Sequence, residues 1–223
     1  MNDKNIKIDY VDHKAALFAC KRWHYSKRMP VNKLVKIGIW EDDIFIGVII
    51  FGVGASAVIH KQFNLENTEV CELVRVALSR HKIEVSYLVK KSLQLLKESN
   101  PGLKVCVSFA DPSEDHIGII YQAGNWIYTG KSAVTTEYFY NNRWRHVTDI
   151  YKRLKPEDII KLDKRKRQGK HRYVMPLNKK TRRQIIKSSK PYPKKENCPE
   201  GVTGSTSGDQ SESSGSSPDP GLI

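Results

Sequence analysis

The chain has 223 residues, a net charge of +14 and an isoelectric point near 9.6. That length suffices for one good-sized domain with appendages, and the charge directs attention to polyanions: nucleic acid, or an anionic membrane surface. No stretch approaches the ~20 consecutive apolar residues of a membrane span, and the polar start Met1-Asn2-Asp3-Lys4 lacks an apolar signal core. Cys20, Cys71, Cys106 and Cys198 are too scattered for a zinc knuckle or a Cys-x-x-Cys redox pair. Three of them sit in apolar surroundings and read as small core residues in a reduced cytosol.

In chain order, Ile6 to Tyr10 reads as a short strand, and Asp12 as the N-cap of a helix through Trp23. Lys33 to Glu41 and Ile44 to Val53 are β-branched, apolar runs around Asp42-Asp43, which predicts a hairpin. Glu69 to Leu78 is a further strand. Ile83 to Glu98 has helical spacing through Val85, Leu88, Val89, Leu93 and Leu96, and Asn100-Pro101-Gly102 stops it. Leu103 to Phe109 returns to strand and ends in Ala110-Asp111-Pro112; Asp115 to Ala123 is a short helix. Trp126 to Lys131 and Val134 to Tyr140 are expected to close the domain as a hairpin.

The order β-α-β-β-β-α-β-α-β-β predicts an α+β (α/β layered) fold, a central mixed β-sheet flanked by helices. Composition divides the chain into three zones: a domain over residues 1–151, a Lys/Arg-rich extension over 152–195, and a Ser/Gly-rich tail over 196–223. The tail has too little apolar surface to offset its chain entropy and is expected to be disordered.

Three segments carry a family resemblance. They are Trp23-His24-Tyr25-Ser26 before Met29-Pro30, Glu72-Leu73-Val74-Arg75-Val76-Ala77-Leu78 before a helix with Ser86 near its start, and Lys104 to Gly130. The last combines Ala-Asp-Pro, His-x-Gly, Tyr-Gln-Ala and Asn-Trp at fixed spacing. Together they resemble the phage Mom family of adenine-modifying proteins over roughly Ala15 to Gly130, and the element order is similar to that of the GNAT acyltransferase superfamily. The resemblance implies a GNAT-like catalytic domain acting in the host cytoplasm on double-stranded DNA. It also implies transfer of a carbamoylmethyl group to the exocyclic amine of adenine, which shields phage DNA from restriction nucleases. The donor it implies is a small activated molecule, acyl-CoA or another, and it leaves an iron possible. The sequence is silent on oligomeric state. One departure stands out. CoA-binding members carry glycines between the central strand and the next helix, where backbone amides meet a pyrophosphate. This chain reads Ser79-Arg80-His81-Lys82-Ile83-Glu84-Val85-Ser86, without one.

Adenine's amine is a poor nucleophile, and in duplex DNA the base must first leave the stack. Asp111, just past a strand that Pro112 terminates, is the candidate acid-base or base-orienting residue; its bland alternative is an N-cap. His24, as base or metal ligand, and Tyr25 and Ser26 join it as catalytic candidates. Arg75 interrupts an apolar strand and must be paired or face a polar cavity. With Ser86 it is the candidate donor-binding pair. Tyr121, Asn125 and Trp126 are candidates for holding the base by stacking and amide hydrogen bonds; core aromatics and a turn asparagine are the alternatives. In the basic zone Arg165, Arg167, Lys170, Arg172, Lys180 and Arg182 are candidate DNA contacts, since cations there far outnumber Glu157, Asp158 and Asp163. Two other readings compete: a GNAT acyltransferase acting on a small amine or protein, and a non-catalytic DNA-binding protein with a transferase-like fold.

Overall fold

The computed structural model describes residues 5–31, 33–53 and 59–194. The predicted tail and Cys198 lie outside them. The first half follows the sequence pattern closely: β1 (Ile6–Tyr10), α1 (His13–Trp23), β2 (Leu34–Glu41), β3 (Ile44–Gly52), β4 (Val70–Leu78), α2 (Val85–Ser99) and β5 (Val105–Ala110). Asp12 caps α1 by accepting from the Ala15 amide at 2.8 Å. Asp42 and Asp43 both have left-handed φ, +52° and +61°, the two-residue turn that matches the twist of a hairpin.

The second half departs from the expected plan. The short helix splits into a 3-10 turn at 112–114 and α3 (Ile119–Ala123). Next come β6 (Ile127–Lys131), β7 (Thr135–Phe139), β8 (Trp144–His146), α4 (Val147–Tyr151), α5 (Pro156–Ile159), β9 (Lys164–Arg167), β10 (His171–Pro176) and α6 (Lys179–Ile185). The large sheet runs β1-β2-β3-β4-β5-β10-β6, and a small one runs β8-β7-β9. The predicted closing hairpin is therefore wrong. β6 pairs with β10 in the large sheet, whereas β7 leaves to build the small one.

The boundary expected after residue 151 is likewise displaced. β10 lies inside the main sheet, antiparallel to both β5 and β6, with Tyr173 and Val174 fully buried. The basic zone thus completes the domain that it was expected to extend.

Helices cover both faces. α1 buries Ala16, Ala19 and Cys20 against Val48, Ile50 and Ala77. The 59–63 turn and α6 add Ile59, Phe63 and Ile185 over Val105, Val107 and Val174. On the opposite face Leu88, Val89, Leu93 and Leu96 of α2 pack on Ile37, Ile49, Phe51 and Leu73. Cys20, Cys71 and Cys106 are buried free thiols, as expected.

Among the described residues β4 and β5 are the one parallel pair, and they pair only from Val70↔Val105 to Leu73↔Ser108. Val74 is then an extra residue against β3, because Ile50 faces Arg75 while Phe51 faces Leu73. Such a bulge bends a strand and raises its twist. Beyond it β4 follows β3, while Phe109 and Ala110 of β5 follow β10. The sheet splits at this point.

Because β10 is central, a chain ended at Tyr151 should fail to fold. In the full chain, Tyr173→Ala should cost about 3–5 kcal/mol, as for other large core truncations. Chemical denaturation checks both; a cooperative unfolding transition for the shortened chain would contradict this placement.

Candidate active site

A cleft of about 1150 Å³ fills the split. Its walls are Glu72–Val76 of β4, Phe109 and Ala110 of β5 with the adjoining Asp111, and Trp23-His24-Tyr25 from the end of α1. Residues 115–121 and Ser132, Thr135, His146, Thr148 and Lys170 complete it. At the crotch the Ser108 hydroxyl donates to the Leu73 carbonyl at 2.9 Å, and it lies 2.8 Å from the Tyr121 hydroxyl. The His-x-Gly signature has a steric cause. Gly118 has φ +83°, and a Cβ there would collide with the rings of Tyr173 and Tyr121.

His24 is buried, and its Nδ1 accepts from the Ser26 amide at 3.1 Å. A backbone N–H is always the donor, so Nδ1 carries no proton and the neutral ring must hold it on Nε2. The Ser26 hydroxyl reinforces this at 2.8 Å. Burial first, then Arg75, His116 and Lys27, lower the His24 pKa to about 4. At neutral pH His24 is therefore an uncharged N–H donor, and its ring has no free lone pair with which to act as a base. His146, which no sequence pattern marked, repeats the arrangement: its Nδ1 accepts from the Thr148 amide at 3.2 Å and lies 2.8 Å from the Thr148 hydroxyl.

Asp111 is buried and fully engaged. Its Oδ1 accepts from the Ser113 amide (3.1 Å) and hydroxyl (2.7 Å), and its Oδ2 from Arg167 (2.5 Å) and Lys170 (3.2 Å). Burial pushes its carboxyl up, but the Ser113 hydroxyl, Lys170, the Ser113 amide and Arg167 outweigh this and hold it below the usual range. A carboxylate with about four acceptor sites filled is a weak proton acceptor. Asp111 is thus both the N-cap and the anchor of two cations.

Arg167 also reaches Glu137 at 3.0 Å, and Arg165 meets the same carboxylate at 2.8 Å. Glu137 is buried on β7, and neither composition nor charge pattern singled it out. Its position in the alternation of Thr-Thr-Glu-Tyr-Phe was the available signal. Stripping Arg167 would leave two buried carboxylates short of a partner, at a cost of about 3–5 kcal/mol.

Arg75 lines the cleft. Its Nη1 donates to the Val74 carbonyl at 3.2 Å, and its Nε is buried without a hydrogen-bond partner. Tyr25 is half exposed, its ring 4.2 Å from that of His24 and edge-on to His116 at 5.3 Å.

The remaining expected site residues scatter. Tyr121 borders the cleft but is buried beside Trp126, their rings 5.2 Å apart; Trp126 itself is core, 2% exposed. Asn125 is an exposed turn residue with φ +56°, and like Ser86 and Trp126 it lies outside the cleft lining. Arg172 donates to Thr129 at 2.8 Å and also bonds Gln62. Of the six candidate DNA contacts, Arg165, Arg167, Lys170 and Arg172 hold the fold together. Lys180 and Arg182 stand exposed on α6.

Among the described residues, no three His, Cys, Asp or Glu side chains are grouped to hold a metal ion. The lining places Arg75 and Lys170 beside Glu72, Asp111 and Asp115. The glycine-free loop before α2 is unsuited to a pyrophosphate. Its Lys82 amide is taken by the Glu41 carboxylate at 3.1 and 3.2 Å, where an incoming anion would be repelled.

The model of the Mom protein family matches residues 5–194, which include every residue of the cleft. The chain belongs to the Mom family. A relative from Escherichia phage Mu, methylcarbamoylase Mom, is 24% identical over 205 residues, 86% of this chain and 85% of its own length. Solved acetyltransferases share a coarser likeness. An aminoglycoside acetyltransferase in complex with coenzyme A and kanamycin gives a TM-score of 0.48 at 8% identity, covering 81% of this chain and 98% of that one. A spermidine/spermine N-acetyltransferase from Vibrio cholerae gives 0.46 at 12%, covering 80% and 99%. No helix among the described residues is long and apolar enough to cross a membrane.

The His24 assignment has a pH consequence. Its folded pKa of about 4 lies below the unfolded value of 6.5, so the unfolded chain takes up the proton first. Stability from this group is complete above pH 6.5 and declines as pH falls toward 4. Nitrogen NMR should find the Nε2–H tautomer unchanged from pH 8 to 5. A ring that titrates near 6.5 would contradict the assignment.

Proposed function

We propose that this Mom-family protein is a transferase that places a carbamoylmethyl-type group on the exocyclic amine of adenine in DNA, and that the modification protects phage DNA from host restriction. The observation that carries this reading is the family match across the whole cleft-forming region. The relative's name, methylcarbamoylase, supports transfer of a small carbamoyl-bearing group.

In the reaction the amine nitrogen forms a bond to a carbon of the donor. That carbon's bond to its leaving group breaks with the electron pair, and one amine proton goes to solvent. The chain's contribution is charge and position. Arg75, the neutral His24 N–H and Lys170 offer donors to negative charge on the departing group. Groups already held in place count for more than freely moving solvent dipoles, because they need no reorganisation as charge develops. Asp111 keeps Lys170 and Arg167 in place and acts as a positioning residue. Tyr25, with its ring at the mouth, is a platform for an extruded adenine. Stacking of about 1–3 kcal/mol per base offsets part of the few kcal/mol needed to leave the helix. Exposed Lys180 and Arg182 suit phosphate contact, which positions a duplex without reading it.

Nucleoside mass spectrometry on DNA from cells expressing the protein tests the reading. A heavier deoxyadenosine is expected with wild type, and its amount should fall at least a hundredfold in Arg75→Ala. Lys170→Ala and Asp111→Asn should each lower it at least tenfold while the protein stays folded. Adenine of unchanged mass with folded wild-type protein would refute it.

A further inference from the structure

The small sheet β8-β7-β9 has no part in the expected fold, yet it stands at the cleft. Thr135 of β7, His146 of β8 and the adjoining Thr148 line it, and Glu137 ties the sheet to Asp111 through Arg167. Its β7–β8 hairpin projects an exposed tip, Asn141-Asn142-Arg143. The tip is geometrically fixed. Asn141 and Asn142 have φ +50° and +59°, and the Tyr140 amide donates to the Arg143 carbonyl at 2.9 Å. These are the features of a two-residue hairpin turn with both central residues left-handed. Behind the tip Phe139 and Trp144 pack at 5.4 Å, and Arg145 lies over the Tyr140 ring.

Charge favours an anionic partner. Residues 140–167 hold ten Lys or Arg against four Asp or Glu, an excess that Asp149 and its two arginines do not consume. Glu137 is the sole acid of β7 and β8, and it is buried under two arginines. Exposed Lys164 and Lys166 flank the hairpin on β9.

We propose that the β7–β8 hairpin enters a groove of duplex DNA beside the target adenine, with Asn141, Asn142 and Arg143 reading base edges and Lys164 and Lys166 holding phosphates. The proposal rests on the DNA-modifying reading above and goes beyond it by naming the element that sets sequence context. A two-stranded ribbon fits the major groove, about 12 Å wide; amide side chains pair with adenine edges and arginine with guanine. Six residues separate Thr135 at the cleft from Asn141 at the tip. At about 3.4 Å per residue the hairpin spans roughly 20 Å, so its reading is confined to roughly six base pairs from the modified base.

The test maps modified adenines across plasmid DNA by sequence and measures duplex affinity against salt. Three variants separate the roles: the turn-preserving pair Asn141→Gly/Asn142→Gly, Arg143→Ala, and Lys164→Ala/Lys166→Ala. With thermal unfolding unchanged, the first two should lose about tenfold or more of the base preference at a position within that range, and still make modified adenine. The lysine variant should keep the preference but bind all duplexes more weakly, with a shallower salt slope. Folded tip variants that modify DNA in the wild-type sequence context would overturn the proposal, as would a wild-type map without any flanking preference. Wild-type protein that yields no modified adenine would instead refute the underlying reading, and the hairpin's role with it.

Discussion

The parting of β4 and β5 is the constraint on which the rest of the molecule depends. Parallel strands normally stay paired, because each unpaired backbone group must find another partner. Here β3 and β10 pair the outer edges of both strands on both sides of the split, and the inner edges beyond it face the cleft. The bulge at Val74 bends β4, which stays paired with β3 on both sides of it, while β10 pairs the whole length of β5. Ser108 satisfies the Leu73 carbonyl at the crotch. The opening thus turns the inner backbone edges of β4 and β5 toward the cleft, and the site's polar groups sit between two halves of one sheet.

That opening needs charge management, and the basic segment supplies it. Asp111 and Glu137 are both buried acids, and Arg167 bridges them while Arg165 and Lys170 complete the set. Three cations that composition assigned to a DNA arm thereby fix the position of the small sheet against the site. The same bridge links the surface proposed to meet DNA with the groups proposed to meet the reacting base. Restraint of this kind suits chemistry that adds a group to a weak nucleophile, where misplacement of about 1 Å costs rate steeply.

The sequence was legible wherever periodicity and turn chemistry agreed. β1 to β5, α1 and α2 carry clear apolar patterns, and at Asp12 and Asp42-Asp43 a cap and a left-handed turn add to them. Legibility failed after Gly130, where lysine and arginine masked strands. His171–Pro176 alternates Tyr173 with Arg172 and Val174, but its flanks read as a charge run. Pairing partners were also beyond reach. Nothing local tells β6 to accept β10, from some forty residues later, over its neighbour β7. At the site, His24, Tyr25, Arg75 and Asp111 do converge on one cleft. Asn125 and Trp126 do not, because a turn and the core claimed them. His146 and Glu137 were invisible, since a lone polar residue carries no pattern until the fold gives it neighbours.

The central claim is that adenine leaves the duplex and enters the cleft at the β4–β5 split. Fluorescence of 2-aminopurine placed at the modified position of a duplex measures this directly, because the base brightens when it unstacks. Emission should rise severalfold on binding the wild-type protein, and the rise should shrink with Tyr25→Ala at saturating protein. A duplex fully bound yet no brighter than free DNA would contradict the claim.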